Sequence, residues 1–106
     1  MIVTNHTALD VLLTGSTHYV RLDADSEAVI YYKNRDSALM AAPGGKRMQG
    51  AWRLTETGYH VDWENGPSAG WQIDVEPGRI AYRDLEGVVR GEVTRIVPGD
   101  AAGLAA

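Results

Sequence analysis

The stretch GYHVDWENGPSAGWQID (58–74) gathers His60, Asp62, Glu64 and Asp74, side chains of the kind that bind divalent ions or exchange protons. Alternate residues of a strand point to one face and lie about 7 Å apart. His60 and Asp62 are therefore close enough to share an ion with an acid on a neighbouring strand, such as Asp74. Glu64 is not, being about 13 Å from His60 along the same strand. A plainer expectation competes with this one. The same face carries Arg53, Arg79, Arg83 and Arg90. Arginines mixed with carboxylates suit cross-strand pairing, at about 0.2–1 kcal/mol per pair, better than a metal cage. The row is read mainly as the wet side of a hairpin, and no catalytic residue, metal or cofactor is assigned to it.

Other routes to chemistry find less support. The chain has no cysteine, which excludes disulfides, zinc–thiolate sites and thiol nucleophiles. Its serines stand in loops without a G-x-S-x-G elbow. His6, His18 and His60 fall on different elements, and His18, just after TGST, is expected near a barrel mouth in a structural role. The glycines of APGGK and LTGST lack the spacing of a phosphate loop.

The aromatic residues are the stronger candidates. Trp52, Tyr59, Trp63, Trp71 and Tyr82, with Tyr19, Tyr31 and Tyr32 as further members, supply large apolar bodies with polar tips, and there is no Phe. Such side chains suit a pocket for a small amphipathic molecule. The competing expectation is that they are simply the core of a small domain.

What must position these residues is a sheet. After one helical stretch, Thr7 to Leu13, with an apolar stripe and a stop at Gly15, turn signals recur every few residues. Between them lie candidate strands 17–23, 27–33, 36–41, 47–55, 58–64, 70–76, 79–84 and 87–97. The expected fold is all-β: an antiparallel meander of about eight strands curled into a small barrel or half-barrel, with a short N-terminal helix plugging one end. The turns suggest registers. TETG pairs Leu54 with Tyr59 and Trp52 with Val61. NGPSA pairs Trp63 with Trp71, Val61 with Ile73, Tyr59 with Val75 and His60 with Asp74. EPGR pairs Val75 with Ile80 and Ile73 with Tyr82, and DLEG pairs Tyr82 with Val89. All place apolar opposite apolar, and a one-residue slip would break the match.

At 106 residues a single domain is expected. A formal net charge of -4, with Lys46-Arg47 the longest basic cluster, argues against a nucleic-acid partner. The N-terminal apolar run is broken by Asn5, His6 and Asp10, so neither a signal peptide nor a membrane partner is expected, and a cytoplasmic location is the default.

The segments GAWRL (50–54) and GYHVDWENGPSAGWQI (58–73), with LTGST ahead of the first strand, resemble small bacterial domains of unknown function with a lipocalin-like (calycin) barrel. Those domains carry a G-x-W strand, a W-x-x-G hairpin and a second tryptophan strand. The resemblance spans about residues 12–85 and implies a barrel with an internal cavity, without naming a substrate. Three functions follow as expectations. The first is a module that binds a small apolar or amphipathic molecule through Trp52, Tyr59, Trp63, Trp71 and Tyr82. The second is a homo-oligomeric interaction module, for instance a homodimer. The third is an enzyme or metal site at His60, Asp62 and Asp74.

Overall fold

The computed structural model describes residues 1–105. Eight antiparallel strands close into one barrel in sequence order. They are β1 (Ser16–Asp23), β2 (Ser26–Tyr32), β3 (Ser37–Ala41), β4 (Arg47–Leu54), β5 (Tyr59–Trp63), β6 (Ser68–Glu76), β7 (Arg79–Asp84) and β8 (Val89–Pro98). β8 pairs back onto β1, so the barrel is complete rather than half-open, and neither sheet edge is left bare.

Helix α1 (His6–Leu13) precedes the barrel. The Asn5 side-chain oxygen caps it by accepting from the Ala8 N–H at 2.9 Å. The helix ends at Gly15, whose φ of +77° is open to glycine at little cost. Leu9 and Leu13 are fully buried against one end of the barrel. Gly15 N–H then donates to the Tyr32 carbonyl at 2.7 Å, tying the helix exit to the end of β2. A two-turn helix cannot stand alone in water, and this packing is what holds it.

The interior row is mostly the one the alternation predicts. Trp52, Tyr59, Val61, Ile73, Tyr82 and Val93 are buried together, joined by Leu9, Leu13, Val20, Ile30, Tyr32 and Ala38. The β4–β5 pairing across TETG and the β6–β7 pairing match expectation: Leu54 faces Tyr59, Trp52 faces Val61, Ile73 faces Tyr82 and Val75 faces Ile80.

Two registers differ. Between β5 and β6, Tyr59 faces Trp71, His60 faces Gly70 and Val61 faces Ala69. The expected Trp63–Trp71 and His60–Asp74 pairs do not form. The loop is tighter than NGPSA suggests: Trp63 N–H donates to the Pro67 carbonyl and Gly66 N–H to the Trp63 carbonyl, both at 3.1 Å. Asn65 turns the corner at φ +56°, so Ser68 and Ala69 join the strand. The shift is four residues, an even number, and every side chain keeps its face. The far half of β6 takes another partner. Ile2 bridges Asp74, Val3 N–H donates to the Ile73 carbonyl at 2.8 Å, and Val75 N–H donates to the Met1 carbonyl at 2.9 Å.

The second difference is a bulge between β7 and β8. Tyr82 faces Gly91, and Val89 faces Arg83, so Val89 joins the outer row. A side chain on Gly91 would collide with Val20 of β1, and that narrow gap is why glycine fits opposite a tyrosine. Gly50, in the G-x-W stretch, has a similar role. A Cβ there would meet the Asp62 carbonyl of β5, so its absence lets the two strands close.

Candidate functional site

Helix and strand ends divide the barrel into a plugged half and an open half. At the plugged end, His18 of β1 is wholly buried and its Nε2–H donates to the Leu12 carbonyl of α1 at 2.7 Å. His18 Nδ1 lies 2.6 Å from the Tyr82 hydroxyl. That hydroxyl lies 3.0 Å from Tyr32 Oη, which lies 3.1 Å from Tyr59 Oη. Strands β1, β2, β5 and β7 thus each send one polar tip to the same point. The rings meet edge to face, Tyr32 against His18, Trp52 and Tyr59 with centroids 5.0, 5.4 and 5.8 Å apart. Such contacts add to the burial of the rings.

The electrostatics follow from burial. Desolvation pushes the His18 imidazolium down to about 4, against an opposing effect of its bond to Leu12. Desolvation also pushes the Tyr32 phenol up to about 12, although its bonds to Tyr59 and Tyr82 work the other way. Tyr59 and Tyr82 stand well above the ordinary tyrosine value for the same first cause. All four groups are neutral near pH 7, and none of these buried polar atoms is left without a partner.

Above the tyrosines the open half holds a cavity of about 220 Å³. Its walls include Val20, Ile30, Val61, Trp63 and Trp71, with Tyr32, Tyr59 and Tyr82 among the lining residues and Arg90 also on the wall. Of the five sequence candidates, Tyr59, Trp63, Trp71 and Tyr82 surround this one space. Trp52 does not. Its indole N–H donates to the Asn34 carbonyl at 2.7 Å, and it lines a separate polar groove with His6, Asp10 and Arg35 near α1. The reason is height along the barrel axis: Trp52 lies toward the end of β4, at the helix side. Tyr32 is the liner that periodicity named only as a further member. His18 carries no local signal, because its partners are 6 to 64 residues away.

The row around His60 has a different geometry from a catalytic triad. The Ser68 hydroxyl donates to Asp62 Oδ1 at 2.5 Å, and His60 Nε2 lies 3.0 Å from the same oxygen. The carboxylate stands between serine and imidazole, whereas a nucleophilic serine needs the imidazole in the middle. Asp74 lies elsewhere, bound by the Met1 ammonium at 2.7 Å and by Arg83 Nε at 2.6 Å. Those two contacts, in that order, hold its carboxyl below the usual range. Among the described residues no three His, Asp or Glu side chains are grouped to hold a metal ion. No helix of the described residues is long and apolar enough to cross a membrane.

The chain matches no family model, no curated protein and no solved structure.

Proposed function

We propose that this protein is a binding module that shelters a small, mainly apolar molecule inside its barrel. The observation that carries the reading is the cavity of about 220 Å³ walled by Trp63, Trp71, Val20, Ile30 and Val61. It exceeds the roughly 150 Å³ engineered cavity that takes up benzene. Eight-stranded barrels are of the size that encloses either side chains alone or one small ligand, and lipocalins are the ligand-holding case. The lipocalin-like resemblance of the G-x-W and W-x-x-G segments supports the same reading.

Ala28 lines the cavity and is buried. Ala28→Phe places a ring in that space and is expected to abolish uptake of small aromatic probes in calorimetric titration, while circular dichroism stays that of the parent barrel. Equal uptake by parent and variant sinks the reading.

A second reading has its own support. Leu22, Leu85 and Val88 are exposed at the open end, Leu85 by 67%. They favour a module whose rim meets a second copy of this chain.

A further inference from the structure

Arg90 is brought to the cavity by an irregularity of the sheet. Across β7–β8, Tyr82 faces Gly91 and Arg83 faces Val89, so Arg90 is the extra residue of the bulge. Bulges re-aim side chains that strict alternation would send elsewhere. Alternation alone sets Arg90 on the outer face. With the bulge it lines the cavity, and it is the one charged side chain that does. Its side chain is 57% exposed, so it stands at the mouth rather than the floor.

The guanidinium is held from one side only. Its Nε–H donates to Asp84 Oδ2 at 2.9 Å. Asp84 ends β7, opposite Trp71 of the cavity wall. The carboxylate is anchored in turn, since its Oδ1 accepts from the Glu86 and Val88 N–H groups at 2.9 and 3.0 Å. Backbone donors thus share in satisfying Asp84, and Arg90 does not do so alone. The rest of the fork, on Nη1 and Nη2, has no partner among the described residues. A guanidinium donates and cannot accept, and its planar edge suits a carboxylate. The hydroxyls of Tyr32, Tyr59 and Tyr82, which are also lining residues, are spent on one another and on His18.

We propose that the ligand is an apolar molecule bearing a single carboxylate, with its apolar part in the cavity and its carboxylate at the mouth on the free edge of Arg90. This rests on the binding reading above and names its ligand class. At a half-exposed position a carboxylate keeps part of its hydration, so its burial cost is small. It also meets a cation that Asp84 has already ordered, which lowers the entropy lost on binding. The other charges of the open-end loops are of both signs, Lys46 with Asp23, Asp25, Glu64 and Glu86, and none of them lines the cavity. The preference is therefore set by Arg90.

The test compares toluene, 2-phenylethanol, phenylacetate and 2-phenylethylamine, which share a benzene ring and carry no head, a neutral head, an anion and a cation. Calorimetric titration of the full chain is expected to show phenylacetate bound at least about tenfold more tightly than 2-phenylethanol, with 2-phenylethylamine weaker still. Arg90→Gln is expected to weaken phenylacetate about tenfold while leaving toluene within about twofold. Lys46→Gln, at the same end but off the cavity wall, is expected to leave both within about twofold. Circular dichroism reports that the variants are folded. If Arg90→Gln does not fold, the phenylacetate to 2-phenylethanol ratio in the parent protein decides alone. Three results overturn the Arg90 assignment and leave the cavity reading standing: toluene bound with phenylacetate no tighter than 2-phenylethanol, a phenylacetate preference that survives Arg90→Gln, or one that is lost in Lys46→Gln. Uptake of none of the probes overturns both.

Discussion

His18 is where burial and protonation are coupled most directly. Its imidazolium is pushed from 6.5 to about 4 in the fold, chiefly by desolvation. The unfolded chain therefore binds one more proton than the native barrel between those two values. Stability is full above about pH 6.5, falls as pH drops through that window, and has lost about 3 kcal/mol at its foot. Below it, protonation of Asp74, whose carboxyl is also held low, removes more. Urea midpoints at neutral pH and at about pH 4.5 are expected to differ markedly in the parent protein. His18→Gln keeps a donor for Leu12 and an acceptor for Tyr82, and is expected to flatten the difference. An equal slope in both proteins means another group titrates. The sequence offered little warning of this residue. A histidine after TGST looks like a rim position, and only the arrival of α1 over the β1 start buries it. His60 does make a polar pair on the outer face, but with Asp62 of its own strand and not with the arginines on its neighbours.

Among the elements, alternation assigned faces well and registers less well. A period of two distinguishes odd slips from even ones, and nothing finer. The four-residue difference between β5 and β6 is invisible to it: Tyr59, Val61, Trp71 and Ile73 point inward under either pairing. What decides is the turn at Trp63–Pro67, with Asn65 at φ +56°. Asparagine tolerates that conformation and a β-branched residue does not. Asn65→Val is expected to cost about 1–2 kcal/mol in chemical denaturation, and Asn65→Gly to cost little. Equal losses in the two variants would show that the corner is not set by this residue. The bulge that sends Val89 outward escapes alternation for a related reason. One extra residue resets the phase, and alternation carries no mark of where it is inserted.

At the scale of the whole molecule, closure was open in the sequence and is settled by the β1–β8 pairing. Closure also fixes heights along the axis, which is why Trp52 falls at the helix side while Trp63 and Trp71 reach the cavity. Sheet face was readable from spacing, but height depends on every register at once. The exposed Leu22, Leu85 and Val88 make oligomeric state a measurable property of this end. If the barrel works alone, sedimentation at micromolar concentration is expected to give a single copy, unchanged in Leu85→Asp. A dimer that Leu85→Asp dissociates favours the rim reading instead.

The hydroxyl chain has one more consequence, in proofreading. Hydrophobic alternation is blind to a two-residue slip of a strand, which carries a side-chain tip about 7 Å along the axis while keeping it inside. A hydrogen bond of about 3 Å is not blind to it. Tyr59, Tyr32, Tyr82 and His18 come from four strands, with partners 27, 50 and 64 residues apart. A slip in any of those strands strands a buried hydroxyl or ring nitrogen. The chain therefore works as an error check, penalising the misassemblies that greasy surfaces alone would accept.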